Sequence, residues 1–253
     1  MKGTLLSAIA VVAMTALASA QQPPGSNRRL APIDLTGTWV SVVTEDWHLR
    51  MFAPDKGDVE GLPVNDEAKK ALAAWEPGRD ADACKAYGAP AIMRIPGRVK
   101  MSWTDADTLQ ILTDAGQQTR LLHFDGTPPR GPANGWQGYS SASWVYGAGF
   151  NPLVKPAAGV NQEEQARKAG GTLKAVTTNL KAGYIRKNGA PYSDRATLTE
   201  YFELVEDPQG TPWFVVTTVL HDPMYLLKDY ITSTNFKKDA NDSTWHPAPC
   251  SLE

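Results

Sequence analysis

The chain has 253 residues, 25 Lys and Arg against 27 Asp and Glu, and a formal net charge of −2. That length suits one β-rich domain with a sizeable core, or two small ones. The near-neutral balance, without a basic run, argues against a nucleic-acid partner, which needs a Lys/Arg-rich face to meet phosphates.

Lys2 precedes the apolar run LLSAIAVVAMTALASA, and Ala18 and Ala20 form an A-x-A site, so residues 1–20 are expected to be a signal peptide cut after Ala20. The run is shorter than the roughly 20 apolar residues a spanning helix needs, so no transmembrane segment is expected in the mature chain. No Cys follows the cut, and Arg28 with Arg29 lies beyond it, which leaves neither a lipoprotein nor a twin-arginine signal. The mature protein is therefore expected to be periplasmic or secreted. Cys84 and Cys250 are the only cysteines, and an even pair in an oxidising compartment points to a disulfide.

After a flexible leader at 21–33, residues 34–253 read as a single β-barrel domain. A long first strand is expected over 35–51, then the loop APDKGDVEGLP, then a helix in NDEAKKALAAWEPG capped by Asn65 and stopped near Pro77. RVKMSW, TLQILT and QTRLLHF alternate with the turns TDAD and DAGQ, the spacing of hairpins. Residues 125–171 are rich in Gly, Pro and Asn and read as long mouth loops, with SASWVY as a strand and NQEEQARKA as a short helix. LKAVTTNL, GYIRK, ATLTEYFELV and PWFVVTTVLH resume the strand pattern. These elements make an all-β, mainly antiparallel, up-and-down barrel of about eight or nine strands, whose closure removes both exposed edges and leaves room for one small ligand.

Gly37-Thr38-Trp39 on the first strand resembles the G-x-W motif of lipocalins and the wider calycin group, and the resemblance implies that Trp39 closes the barrel floor. The chain is also similar to exported, uncharacterised bacterial lipocalin-like proteins with a TEYF-like strand, a DPxY step and a C-terminal Cys, here Thr199–Phe202, Asp222–Tyr225 and Cys250. That similarity implies an architecture and no activity.

Side chains alternate across a strand, so if Trp39 points inward and the strand is regular, Glu45 points inward too, while Asp46, His48 and Arg50 face solvent; a β-bulge would reverse that register. Two more polar residues interrupt apolar rows: Glu200 in ATLTEYFELV and His221 at the end of PWFVVTTVLH. A charge inside a barrel needs a partner, water or a ligand. Arg94, Arg120, Tyr184 and Tyr192 are candidate partners and ligand contacts, and Trp136 and Trp144 are candidates to stack on a ring. His48, His123, His221 and His246 stand far apart without HExxH, H-x-H or CxxC spacing, so no metal site and no cofactor is expected. Two functions remain. One is a barrel binding a small, mainly apolar or aromatic molecule in its cavity; the other is a cofactor-free lyase, isomerase or hydratase in which Glu200, His221 and Glu45 exchange protons with such a molecule.

Overall fold

The computed structural model describes residues 26–77, 82–126, 128–130, 135–240 and 244–252; the expected signal peptide lies outside these. Its strands are β1 (Gly37–Val42), β2 (Arg98–Trp103), β3 (Thr108–Thr113), β4 (Thr119–His123), β5 (Tyr139–Tyr146), β6 (Gly171–Thr178), β7 (Gly183–Tyr184), β8 (Pro191–Tyr192), β9 (Thr197–Glu206), β10 (Pro212–His221) and β11 (Tyr230–Asp239). Nine of them close a barrel in the order β1-β2-β3-β4-β5-β6-β9-β10-β11, and β7 with β8 forms a small separate ribbon. Neighbours are antiparallel except β4 and β5, which pair in parallel at Leu122 to Ser140 and His123 to Ser141. The all-β barrel expected from the alternating pattern is the observed fold.

The helices are short: α1 (Trp47–Arg50), α2 (Asp66–Ala74), α3 (Ala89–Ile92) and α4 (Gln162–Ala169), with a 3-10 turn at Ala83–Tyr87. Asn65 caps α2 by accepting from Ala68 N at 3.0 Å, and Asn161 caps α4 by accepting from Glu163 N and Glu164 N. Both helices lie where the sequence placed them.

The first strand is shorter than expected. It ends at Val42, and the chain turns at Asp46, which takes the left-handed conformation (φ 50°, ψ 33°) that Asp tolerates better than most residues. In an extended strand Glu45 and Arg50 would be roughly 16 Å apart. Turned back, they meet at 2.5 Å, which helps hold the single helical turn α1. GYIRK supplies only the two-residue β7, and the ninth barrel strand is β11, which the sequence reading passed over. Its inward row, Tyr230, Thr232, Thr234 and Phe236, alternates correctly but carries hydroxyls where a core strand usually shows aliphatics.

One end of the barrel is a packed floor. Trp39 is 1% exposed, donates Nε1–H to Leu35 O at 2.9 Å and meets the Phe214 ring at 5.7 Å, as the G-x-W reading implied. Phe214 in turn stacks on Phe202 and Phe236, with centroids 5.7 and 4.9 Å apart. Gly37 has φ 105°, a backbone conformation that L side chains rarely adopt, so glycine serves the motif through its backbone freedom. Residues 26–33, expected as part of a flexible leader, are tied down here: Asn27 N and Nδ2 both donate to Asp107 Oδ1, and Arg29 pairs with Glu163.

The other end is covered by a cap built from α1 to α3, the β7–β8 ribbon and the tail. Leu62, Val64, Ala68, Leu72, Leu180, Ile185 and Tyr192 form its own apolar core. The tail is pinned by the Cys84–Cys250 disulfide (Cα–Cα 5.1 Å), by Ala248 N donating to Asp114 O at 2.9 Å, and by Tyr87 Oη donating to Ser251 O at 2.9 Å. No helix among the described residues is long and apolar enough to cross a membrane.

Candidate functional site

The inward rows of the strands carry a polar belt just beneath the cap. Arg120 of β4 and Glu200 of β9, both with 0% side-chain exposure, form a two-pronged pair at 3.0 Å (Nη1 to Oε1) and 2.5 Å (Nη2 to Oε2). Arg120 Nη2 also reaches Thr177 Oγ1 at 3.4 Å, and that hydroxyl meets Ser140 Oγ at 2.7 Å. Sequence reasoning put Glu200 inside with an arginine partner, and this is where both lie.

The other residues singled out from sequence do not gather around that pair. His221 ends β10 on the outside, with its ring nitrogen 2.8 Å from Asp229 and a side chain 62% exposed. Glu45 lies beyond the end of β1, on no inward row. Trp144 sits at the floor, its Nε1–H donating to Asn27 O at 2.9 Å and its ring 5.1 Å from that of Phe124. Trp136 lies under the Lys181 ammonium at 4.1 Å. Tyr184 and Tyr192 line a groove of about 310 Å³ with Trp75, Tyr225 and Lys85, between α2 and the β7–β8 ribbon. Burial pushes the Tyr192 hydroxyl far above the usual phenol range, and its oxygen has no hydrogen-bond partner.

The charged run at 45–50 finds its explanation in the cap. It borders a cleft of about 440 Å³, within the range of small-molecule sites. The lining is largely apolar: Leu49, Met51, Phe52, Ala86, Tyr87, Ala91, Ile95 and Ile185, with Ala248 and Pro249 of the pinned tail. Gly116, in the β3–β4 turn with φ 71°, also lines it, and a side chain there would collide with the Tyr87 ring. Met51 and Phe52 are 54% and 66% exposed, so the lip presents apolar surface to solvent.

Four cations line this cleft, Arg50, Arg94, Arg186 and Lys187, and among the described residues no carboxylate does. Two acids stand behind them. Glu45 Oε1 accepts from Arg50 Nη1 at 2.5 Å, and Asp46 Oδ2 accepts from Arg94 Nη2 at 2.7 Å. Arg50 Nε donates to Arg94 O at 3.0 Å, which locks the two arginines together. The Arg50 side chain is only 2% exposed, and its Nη2 has no partner; Arg186 Nη1 is likewise buried without one. Burial, and then the neighbouring Arg94 charge, hold Arg50 below the usual guanidinium range, against the pull of Glu45 and Asp46. Arg94, a candidate partner for a charge inside the barrel by sequence, lies instead in the cap, where it lines this cleft and pairs with Asp46. Arg50 had been assigned to a wet outer face, and Arg186 and Lys187 were read as strand; their signal was a basic pair followed by the Asn188-Gly189 turn.

Among the described residues no group of three or more His, Cys, Asp or Glu side chains is placed to hold a metal ion. No family model, no curated protein and no solved structure matches the chain. The closed nine-stranded barrel is consistent with a calycin-like fold.

Proposed function

We propose that the protein is an exported, lipocalin-like binding barrel that holds a small, mainly apolar or aromatic molecule, and that the molecule lies in the cap cleft above the packed interior. The observation that carries this is the cleft itself, where an apolar wall meets fixed polar groups in about 440 Å³. The apolar run ending at Ala20 and the Cys84–Cys250 bond support delivery to an oxidising compartment such as the periplasm. The acid/base alternative asks two titratable groups to converge on one ligand atom. Glu200 sits in the interior and His221 on the outer surface, so that reading has less geometric support.

The test is native mass spectrometry of protein exported by its own host. A small molecule should be retained by the wild type and lost from Ala53→Trp, which places a bulky ring at an exposed position on the cleft lip. Retention unchanged by Ala53→Trp would place the ligand elsewhere and end the cleft assignment.

A further inference from the structure

Three arginines line the cleft, Arg50, Arg94 and Arg186; among the described residues Glu45 pairs with the first and Asp46 with the second, in a molecule whose formal net charge is −2. These charges are set among apolar groups, where water screens them poorly. Two nitrogens in this set are buried and unpartnered, Arg50 Nη2 and Arg186 Nη1. A buried donor without an acceptor carries a desolvation cost, larger when the group is charged, so a site built this way gains from an acceptor that arrives with the ligand. Guanidinium groups match a planar oxyanion, because two parallel N–H donors can meet two oxygens.

The lip explains how such an acceptor reaches Nη2. Arg50 is the last residue of α1, and the segment that follows, Met51 to Ala53, is exposed and makes few backbone bonds beyond Met51 N to Trp47 O. Shifting this lip uncovers Arg50 without disturbing a barrel strand.

Resting on the cleft assignment above, we infer that the ligand is an amphipathic carboxylate: an aromatic or aliphatic body against Met51, Phe52, Ala86 and Ile185, and a carboxylate head held by Arg50 and Arg186. Arg94 is a positioning residue in this arrangement. Its carbonyl and its bond to Asp46 fix the Arg50 side chain, and its own charge adds to the field at the head group.

Calorimetry with naphthalene-2-carboxylate and its methyl ester as paired probes tests this on the full mature chain. The two share an apolar body and differ in the charge. The carboxylate should bind at least tenfold more tightly than the ester to the wild type. Arg50→Met should erase that preference while leaving ester affinity within threefold, and Arg186→Met, at a half-buried position whose loss threatens folding less, should reduce it. Ala53→Trp should weaken both probes. If the ester binds as tightly as the carboxylate and Ala53→Trp blocks both, the anion anchor is wrong and the cleft assignment stands. If neither probe binds, or Ala53→Trp leaves both unchanged, the cleft assignment and this inference fall together.

Discussion

Arg120 and Arg50 are both guanidiniums withdrawn from water, each with a carboxylate oxygen at 2.5 Å, yet their surroundings differ. Arg120 grips both oxygens of a carboxylate that is itself wholly buried, and a threonine and a serine extend the contact. Arg50 takes one oxygen of Glu45, whose side chain is 33% exposed and whose other oxygen accepts from Thr44 Oγ1 at 2.6 Å. Each arginine retains one unpartnered nitrogen, Nε in the first and Nη2 in the second, but only Arg50 lines the cleft. A charge matched inside a closed shell is scaffolding; a charge half matched at the edge of a cleft is able to receive a ligand.

The largest effect should come from breaking the closed pair. Glu200→Gln leaves the Arg120 charge buried without its counter-ion, and should cost about 3–5 kcal/mol in denaturant unfolding. Arg120→Met combined with Glu200→Leu should recover most of that loss, because an apolar pair of similar volume avoids the desolvation both charges suffer. A single variant within about 1 kcal/mol of wild type would mean that water reaches Arg120 and that the belt is not sealed.

The disulfide comes next, since it holds the tail at the open region. It joins residues 166 apart in sequence and pins the tail that forms one wall of the cleft. Replacing Cys84 and Cys250 together with Ser should lower stability by about 2–4 kcal/mol, and should also weaken ligand retention at temperatures where the protein is still folded. A stability loss with retention untouched would show that the tail wall does not contribute to binding.

How far the sequence revealed these two regions follows from the type of signal each emits. Glu200 interrupts the inward row of Leu198 and Phe202, so period-two alternation alone exposed it as a buried charge in need of an arginine. Trp39 announced itself through Gly37, and α2 and α4 through their Asn caps. The cleft emitted no periodic signal. It depends on Asp46 leaving the strand conformation, a one-residue event that alternation cannot detect, and it gathers Arg50, Arg94 and Arg186 from three separate segments. β11 was missed for a related reason: Thr232 and Thr234 face inward, and a pattern scored on apolar residues gives hydroxyl rows no weight.

Glu45→Gln sharpens the contrast with Glu200→Gln, since the same chemical change is made at the half-open pair. Stability should fall by only about 1–2 kcal/mol, because Arg50 keeps the Arg94 carbonyl and the lip can admit water. Loss of one of the two acids behind the cleft should also strengthen binding of naphthalene-2-carboxylate several-fold and enlarge the rise in melting temperature that the probe produces. Weaker binding in this variant would mean that Glu45 holds Arg50 in its receiving position and that placement outweighs charge.

The smallest effect is expected at His221, which interrupts the row of β10 much as Glu200 interrupts that of β9, and which the alternation marked equally. Its position on the chain explains the different outcome. Leu220 is 2% exposed and is the last inward residue of the strand, so His221 falls on the outer face, where its ring meets Asp229 in water. An exposed pair of this kind contributes little, because solvent screens the charge and both side chains lose freedom in forming it. His221→Ala should therefore change stability by no more than about 0.5 kcal/mol, and should leave the affinity for both naphthalene probes within twofold. Measured beside Glu200→Gln, this variant separates the two polar residues that sequence could not rank. A tenfold loss of binding or of any turnover in His221→Ala would return the imidazole to the site and move the functional surface from the cap cleft to the outer end of β10.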